Sequence, residues 1–369
     1  MFNNKSSRKL SDAIREYRIK RKLRKDSKNR FKMIPDKKKS HKWIIAPVVF
    51  VLLFVLIVYT LYDNGRIVVD YVTVTHSQVP VSFDGYKILQ ISDIHGRKFG
   101  VENKNLVEVI NSLEYDMILL TGDYMSSPES GDYWDIIDLL DDLDKKDIPV
   151  LYILGESDYT PTKTSNLSEN WNMCIYPKEK NKMMEYFEDI GVKFVYPIST
   201  VEKNGEVIFF TGINYVENKF DEVNFDVDKH FSICVTHKPI DYDVNARLAE
   251  VNKTRLHEVD YDLSVSGHTH GGEIRLPLLG AVYVEGKGVF PQEEDTMGLH
   301  SDGQGRYNYI SSGLGADGFP GFRFYNPPTI SVITLKRGYK KGCFYSPFCF
   351  ILLSLAPHVQ PVQTMGIFP

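Results

Sequence analysis

The chain has 369 residues, of which 43% are hydrophobic and 25% charged. This is the composition of a globular protein, and it excludes a disordered chain, a collagen-like fibre and a small disulfide-stapled domain. The net charge of −4 conceals an asymmetry: residues 1–42 contain 17 Lys and Arg against 4 Asp and Glu, a charge of +13, which leaves −17 for the remainder. The two parts are therefore expected to meet different surroundings.

Nineteen residues without a charged side chain, from Ile44 to Tyr62, separate these two parts. At about 1.5 Å per residue, a helix of this length nearly crosses a hydrocarbon core of ~30 Å. A cleaved signal peptide is the alternative, but it usually has a short basic region and an A-x-A-like cleavage site. Here 42 residues precede the segment, and Asp63-Asn64-Gly65-Arg66 follows it. We expect an uncleaved transmembrane helix over 43–62.

The positive-inside rule then sets the orientation of this helix. It predicts a basic cytoplasmic tail over 1–42 and an extracellular chain from residue 63 onward, in a single-pass protein of the cell membrane. The basic runs Arg18–Lys25 and Lys37–Lys39 suit anionic lipid headgroups. They also suit nucleic acid, the least favoured of the alternatives, and the simplest role of the tail is to set the topology.

Strands and helices alternate after the apolar segment. Residues 63–85 are predicted as a linker and first strands, with a turn at Asp84-Gly85. Helical spacing of apolar residues predicts helices over 103–115, 133–146 and 182–191. Apolar or alternating runs predict strands over 86–92, 117–123, 149–157, 207–213, 231–237, 261–268, 281–288, 306–313 and 329–337. This order predicts an α/β layered fold with a partly parallel sheet, as one domain over 86–337. The tail over 338–369 has no predicted role.

Asp, Glu or His stands at or just after the carboxyl end of five predicted strands. These residues are Asp93 and His95, Asp123, Glu156 and Asp158, His237, and His268 and His270. In open α/β sheets, ligands bind at the carboxyl edge, where such side chains collect. The first and third side chains of an extended triplet point the same way, so Asp93 is expected to face one centre with His95, and His268 with His270.

The chemistry of this residue set points to metal ions. Four imidazoles and at least three carboxylates are the donors of a transition-metal site, and seven donors are too many for one tetrahedral zinc. They fit two metals about 3.5–4 Å apart that share a carboxylate, an arrangement suited to displacement at phosphorus. At any single position a capping Asp or a structural His is the ordinary explanation. Five strand ends together favour a site.

These motifs, in this order, resemble the calcineurin-like metallophosphoesterase superfamily over about residues 86–337. The stretches Gly267–Pro277 (GHTHGGEIRLP) and Ser311–Leu335 look like the membrane-anchored or exported bacterial phosphodiesterases. The resemblance implies an α/β/β/α-type sandwich with two divalent cations, among which manganese, iron, zinc and cobalt are not distinguished. It also implies hydrolysis of a phosphodiester or pyrophosphate bond by a hydroxide that bridges the metals. A lipid-linked phosphate ester suits a site tethered to a membrane.

The resemblance assigns roles position by position. Asp93, His95 and His270 would hold the first metal, and Asp123 would bridge the two metals. His237 and His268 would hold the second metal, with Glu156 as a further ligand. The candidate catalytic residues are Asp123, Asp158 and His237, with Asp158 orienting its neighbours.

The third motif departs from the family pattern. Where the family usually has Gly-Asn-His-Asp or Gly-Asn-His-Glu, this chain has Gly155-Glu156-Ser157-Asp158. Glu156 replaces an Asn ligand, and a carboxylate can also coordinate. Ser157 replaces a His that would stabilise the transition state or protonate the leaving group, a loss that typically costs ~10²–10⁴ in rate. Slow activity, help from another His such as His257, and a non-catalytic metal- or phosphate-binding surface protein are all consistent with this change.

Weaker candidates surround these motifs. Arg275 could contact a substrate phosphate or form a surface ion pair. Four aromatic residues are candidates for a substrate pocket or for packing: Tyr124, Tyr159, Phe319 and Phe322.

Overall fold

The computed structural model describes residues 4–30, 42–145, 147–159, 180–196, 198–212, 230–240, 261–303, 305–317 and 321–338. The chain divides into two compact units, Met1–Val58 and Tyr59–Pro369. The predicted tail 338–369 lies outside the described residues except for Gly338, as do His257 and Phe319.

Helix α1 (Asn4–Arg30) occupies most of the basic segment, a helix that the sequence analysis does not predict. Helix α2 (Lys42–Gly65) covers the predicted span and continues three residues beyond it. Its segment Ala46–Gly65 has a mean hydropathy of 2.2 and is long and apolar enough to cross a membrane. Length and composition alone are equally those of a signal sequence or a soluble core helix.

The second unit contains three further described helices and sixteen described strands. The helices are α3 (Lys104–Asn111), α4 (Trp134–Asp141) and α5 (Lys182–Asp189). The strands in the first half are β1 (Val68–His76), β2 (Lys87–Ile91), β3 (Met117–Leu120), β4 (Val150–Tyr152), β5 (Lys193–Phe194), β6 (Ile198–Lys203), β7 (Glu206–Gly212) and β8 (Ser232–Val235). Those in the second half are β9 (Leu263–Ser266), β10 (Arg275–Leu276), β11 (Gly280–Ala281), β12 (Tyr283–Val284), β13 (Gly288–Val289), β14 (Gly298–Ser301), β15 (Tyr307–Ile310) and β16 (Thr329–Arg337).

Two mixed sheets, each with six described strands, form the body of this unit. The first has the order β1-β16-β2-β3-β4-β5 and is parallel from β2 to β5. The second has the order β14-β15-β9-β8-β7-β6 and is parallel from β15 to β7. The strands β2 and β3 end in register, with Ile91 beside Leu120, so the loops after them leave the sheet at the same edge.

The alternation of side chains along the central strands accounts for the layers. In β2 and β3, Leu89, Ile91, Ile118 and Leu120 pack with the helices α3, α4 and α5. Their neighbours Ile88, Met117 and Leu119 point the other way and join Ile233, Val235, Leu263 and Val265 between the two sheets. Because both faces of these strands are buried, β3 is continuously apolar (MILL), and β2 (KILQI) has apolar residues on both faces rather than in alternation.

The predicted α/β fold is confirmed as two mixed sheets with helices packed on the first. The described residues do not test the second helical layer that the predicted α/β/β/α sandwich requires. Further differences concern strands. The strands β5, β6, β10 and β14 were not predicted, and residues 281–288 form the short ribbon of β12 and β13 rather than one strand.

The sheet extends on the N-terminal side of residue 86. β1 pairs in parallel with β16 over nine residues, from Val68 beside Thr329 to His76 beside Arg337. The last residues of α2 also belong to the second unit, which begins at Tyr59. There the Asn64 side chain donates a hydrogen bond to the Arg323 carbonyl (2.5 Å), and its oxygen accepts one from the Arg323 amide (3.0 Å).

Candidate metal centre

The carboxyl edges of the two sheets meet at the predicted site. The Gln90 side chain at the end of β2 donates to the Ser266 carbonyl at the end of β9 (2.9 Å). In the loops that follow these two strands, the backbone amide of His268 donates a hydrogen bond to the Asp93 carboxylate (2.9 Å). Hydrogen bonds between sheets therefore fix the loops that carry the candidate ligands relative to each other.

The first cluster consists of Asp93, His95 and His270, whose ligand atoms lie within 4.8 Å of one another. His95 Nε2 and His270 Nε2 are 3.2 Å apart, and His270 Nε2 is 3.9 Å from the Asp93 carboxylate. Asp93 is fully buried, and the Ser92 hydroxyl donates to its second oxygen (2.5 Å). This cluster joins the loop after β2 to the loop after β9.

The second cluster consists of Asp123, Glu156, His237 and His268, again within 4.8 Å of one another. His237 Nε2 lies 3.0 Å from Asp123 Oδ2, and His268 Nδ1 lies 3.3 Å from Glu156 Oε2. The same Asp123 oxygen is 3.4 Å from His95 Nε2 of the first cluster. Asp123 therefore connects the clusters, as a shared carboxylate between two cations must. The structure brings all seven predicted metal ligands together, in the two predicted groups.

Left-handed backbone, not strand alternation, aims these side chains. Five candidate ligands have positive φ: Asp93 (52°), His95 (49°), Asp123 (56°), His268 (70°) and His270 (51°). The expected extended triplets are thus wrong, because the chain has left the strands and turns sharply at each of these residues. Positive φ is uncommon outside glycine and costs of order 1–3 kcal/mol per residue, strain that collects at functional sites.

Two glycines allow the loops around Asp123 to approach closely. Gly122 has a φ of +93°, and a Cβ there would lie 2.6 Å from the amide nitrogen of Gly155 and 2.8 Å from His237 Nδ1. A Cβ on Gly155 would overlap the Asp123 carboxylate. A side chain at either position would displace a candidate ligand.

Asp158 lies beneath Asp123 rather than in either cluster. Its fully buried carboxylate accepts hydrogen bonds from the backbone amides of Asp123 (2.7 Å), Tyr124 (2.7 Å), Met125 (3.1 Å) and Gly155 (2.8 Å). Burial and the neighbouring Asp123 raise the pKa of Asp158 to about 7. This geometry is that of a positioning residue for the loop after β3, and a direct part for Asp158 in catalysis stays a prediction.

Two of the four imidazoles, those of His237 and His270, are oriented as metal-binding imidazoles usually are. His237 Nδ1 lies 2.8 Å from the Thr121 carbonyl, and His270 Nδ1 lies 3.4 Å from the Gly315 carbonyl. Because a carbonyl only accepts, each Nδ1 is the donor, and each Nε2 is directed at the carboxylates. A His ligand held in this way through its other nitrogen is the common arrangement around a bound metal. Two Nε2 atoms 3.2 Å apart, with carboxylates facing them, fit a shared cation.

Burial and neighbouring charges shift the pKa values of the cluster residues in opposite directions. Burial would raise the pKa of Asp123, but the adjacent His237 and His95 outweigh burial and lower it. Burial would lower the pKa of His237, but Asp123 raises it to about 10. Burial, His237 and Lys238 lower the pKa of His268 to about 3, and burial and His95 hold that of His270 well below its ordinary value. Perturbation in both directions within one cleft is typical of a functional site.

The third motif is where the second cluster differs from the family pattern. Glu156 forms an ion pair with Lys238, which directly follows His237 in the sequence. Ser157 donates to Asp123 Oδ1 through both its amide (2.8 Å) and its hydroxyl (2.9 Å). Ser157 therefore stabilises the ionised, shared carboxylate instead of supplying an acid.

Sequence reasoning missed two residues that support the first cluster. Arg323 is fully buried and donates to the carbonyls of Gly315 (2.7 Å), Gly313 (3.0 Å) and His270 (3.2 Å). Asn326 donates to the same His270 carbonyl (2.7 Å). Neither ends a strand nor forms a ligand triplet, so no pattern in the sequence marked them.

Three of the weaker candidates, Arg275, Tyr124 and Tyr159, make structural contacts. Arg275 donates to the Gly271 carbonyl (2.8 Å) and pairs with Glu293. Tyr124 is buried, and its hydroxyl donates to the Ile153 carbonyl (2.6 Å), while Tyr159 packs against the core on the helix side of the first sheet. Phe322 is exposed.

The fold and the paired clusters define a protein built to hold cations at the shared edge of two mixed sheets. The calcineurin-like phosphoesterase family matches residues 86–272, just over half of the chain. The chain belongs to this family.

Two relatives and one solved structure are similar to it. The chain is 28% identical over 270 residues to the uncharacterized metallophosphoesterase YkuE of Bacillus subtilis, covering 72% of this chain and 84% of that one. It is 25% identical over 302 residues to the uncharacterized metallophosphoesterase Cj0846 of Campylobacter jejuni, covering 81% of this chain and 72% of that one. The solved structure of the purple acid phosphatase PPD1 of yellow lupin is 11% identical to this chain. The match covers 63% of this chain and 44% of the phosphatase chain, with a TM-score of 0.36.

Proposed function

We propose that this protein is a metal-dependent phosphoesterase that hydrolyses a phosphodiester or pyrophosphate bond, anchored to the cell membrane by α2 with its site on the outer side. One observation carries the catalytic part. A single oxygen of Asp123 lies 3.0 Å from His237 Nε2 and 3.4 Å from His95 Nε2, so one carboxylate serves two clusters. A shared carboxylate between two sets of ligands is how a two-metal site is built.

The bound cations would supply Lewis-acid chemistry, neutralising phosphoryl oxygens and acidifying water. In this proposal Asp93, His95 and His270 hold one cation, and Glu156, His237 and His268 hold the other. Ser157 keeps Asp123 ionised by donating two hydrogen bonds to it. Asp158 fixes the backbone on both sides of Asp123, so the shared ligand holds its place when the substrate changes the charge of the site.

The anchor is supported by the contacts at the end of α2. Asn64 exchanges two hydrogen bonds with Arg323, and the Asn64 carbonyl accepts a third from Arg97 (2.6 Å). The Arg323 guanidinium in turn donates to the His270 carbonyl. Residues at the outer end of a membrane helix lie at the interface, so these bonds would hold the first cluster near the membrane surface.

A lipid-linked substrate is supported by apolar side chains beside the site. Tyr325, two residues after Arg323, lies beside Tyr59 with ring centroids 6.3 Å apart and planes tilted by 36°, and it is itself exposed. The bridge between Ile274 and Phe324 connects this segment to the β10–β11 hairpin, where Leu278 and Leu279 at the tip are exposed. Such side chains favour the boundary between headgroups and acyl chains. Binding of anionic lipid by residues 1–42 stays a prediction.

Hydrolysis of a chromogenic phosphodiester tests the proposal. The full-length protein would be purified in detergent, stripped of metal and reloaded with Mn²⁺, beside the variants His95→Ala and His300→Ala. His300 is the matched control, since its ring bonds the nearby Met297 carbonyl and joins neither cluster. We expect turnover that requires Mn²⁺, is lost in His95→Ala and is retained in His300→Ala. A folded, metal-loaded wild type without turnover would contradict it.

That contrary result would support the second candidate, a metal- or phosphate-binding surface protein without catalysis. The observation that favours it is the bonding of Ser157, whose hydroxyl is directed at Asp123 and has no proton of suitable pKa for a leaving group. Phosphate binding to the metal-loaded protein without ester hydrolysis would identify this function.

A further inference from the structure

Lys238 is the cation closest to the candidate ligands of the second cluster among the described contacts. Its ammonium contacts Glu156 Oε1, while Glu156 Oε2 faces His268 Nδ1 at 3.3 Å. Glu156 thus divides its two oxygens between a lysine and the cluster. About a third of each of the two side chains is exposed, 33% for Lys238 and 39% for Glu156, so the pair lies at the mouth of the site.

Either charge of this pair would disturb the second cluster if it stood alone. A second carboxylate beside Asp123 would attract a cation and repel an anionic phosphate ester. An ammonium without its carboxylate would repel the cation. Unit charges this close to each other interact appreciably even near the protein surface, so neither effect is negligible. The pair together is neutral, and it still leaves one carboxylate oxygen for a metal.

We propose that Lys238 is a positioning residue that sets the charge and orientation of Glu156, so that Glu156 presents one oxygen to the second cation while the pair stays neutral. The inference rests on the proposed two-cation site. It explains how this chain keeps a carboxylate at position 156 without an excess negative charge where a phosphate must bind.

An ordinary surface ion pair is the competing explanation. Exposed pairs contribute little to stability. The two explanations differ in one measurable respect. A surface pair leaves metal and phosphate affinity unchanged when it is removed, whereas a positioning pair couples both affinities to its charges.

The test is a double-mutant cycle on the metal affinity of the second cluster. Mn²⁺ would be titrated calorimetrically into metal-stripped, full-length protein in detergent, with Glu156→Gln, Lys238→Met and the double variant compared in a His95→Ala background. That background disables the first cluster, so the remaining step reports the second. Lys238→Arg keeps the charge, and Lys193→Met, an exposed lysine on β5, is the matched control.

We expect Glu156→Gln to weaken Mn²⁺ binding more than about tenfold, because it leaves the ammonium unpaired. The double variant should recover most of this loss, which gives a coupling of at least about tenfold, or about 1.4 kcal/mol. Lys238→Met alone should bind Mn²⁺ at least as tightly as the wild type. It should weaken the binding of inorganic phosphate to the Mn²⁺-loaded protein about tenfold. Lys238→Arg and Lys193→Met should match the wild type in both measurements.

Additive effects in the cycle, or Lys238→Arg behaving as Lys238→Met, would overturn the inference. Its failure is distinguishable from failure of the proposed function, because neither measurement requires turnover. A wild type that hydrolyses phosphodiesters but shows additive metal affinities loses only the role of Lys238. A wild type that shows the coupling without hydrolysis loses only the catalytic function.

Discussion

The two metal clusters share Asp123 but are built differently. The first is the more buried one at the shared edge of the sheets, with Asp93 fully buried and the His270 carbonyl bonded by Arg323 and Asn326. The second opens outward through Glu156, which pairs with Lys238, a lysine whose side chain is one third exposed. The first is a closed set of ligands fixed by backbone, whereas the second depends on charged side chains at the mouth of the site. Changes in this chain relative to the family therefore fall where the substrate would enter.

The largest expected effect comes from removing what the clusters share. Asp123→Asn takes away the negative charge between the two sets of imidazoles, and two cations would then repel each other without a bridge. Lewis-acid stabilisation is worth several kcal/mol, so phosphodiester hydrolysis should fall by more than about a thousandfold. Metal content should drop from two equivalents towards one. Asp138→Asn, an exposed carboxylate on α4, is the control and should change neither measurement.

The next largest effect is expected from a substitution at Ser157, beside the second cluster. Ser157→His would return the residue type of the family pattern next to the shared carboxylate. If a proton donor for the leaving group is what the chain lacks, turnover of substrates with poor leaving groups should rise by about a hundredfold. Activated nitrophenyl esters should gain far less, since they need no proton. Equal gains for both substrate types would contradict this reason for the change.

The pH dependence of metal binding should separate the clusters. Asp123 raises the pKa of His237 to about 10, so the metal-free protein carries a proton on His237 at neutral pH, and a cation must displace it. In the first cluster, burial and His95 hold the pKa of His270 well below its ordinary value, so that imidazole is already neutral. We expect second-site affinity to rise by about tenfold per pH unit between pH 7 and 9, with first-site affinity nearly constant.

Calorimetric titration of Mn²⁺ in buffers of different ionisation enthalpy measures this directly. About one proton should leave with the cation of the second cluster at pH 7. A pH-independent second step would show that His237 is neutral before the metal arrives. Equal proton release from both steps would contradict the expected difference between the two clusters.

A substitution of Arg323 should weaken metal binding at the first cluster and leave metal binding at the second cluster unchanged. Its guanidinium donates to the carbonyls around His270, and the loss of such outer contacts typically costs 10–100-fold in metal affinity. Arg323→Gln should therefore weaken the first metal step by about tenfold and leave the second unchanged. Melting of the metal-free variant is the necessary control, because a buried arginine also holds the loop together. A change in both metal steps would contradict the separation of the clusters.

The candidate ligands could be predicted from the sequence, but the backbone conformation that holds them in place could not. Asp93, Asp123 and His237 lie within three residues of the ends of β2, β3 and β8. Because parallel strands bring their carboxyl ends to one edge, convergence could be predicted. The positive φ values could not, because Asp and His carry no backbone signature comparable to glycine. The expected extended triplets were wrong for that reason. Asn204-Gly205 between β6 and β7 was a hairpin signal that was available and not used.

Long-range contacts explain most of what else was missed. Arg323 reaches His270 across 53 residues, and Lys238 reaches Glu156 across 82, so no local periodicity relates either pair. Helix α1 was missed because a strongly basic segment shows no apolar face by composition. The departure at Glu156 and Ser157 was visible in the sequence. The ion pair between Glu156 and Lys238 could be seen only in the folded structure.

The smallest expected effect concerns the connection between the first cluster and the end of α2. Asn64→Ala removes two side-chain hydrogen bonds to the Arg323 backbone, and ordinary hydrogen bonds contribute about 0.5–1.5 kcal/mol each. Hydrolysis of a soluble phosphodiester should fall only a few-fold, since both clusters keep their ligands. In vesicles, hydrolysis of a lipid-linked phosphodiester should fall further, because the site would no longer be held at one height above the membrane. Equal losses on both substrates would mean that Asn64 stabilises the fold alone, and that the substrate does not come from the bilayer.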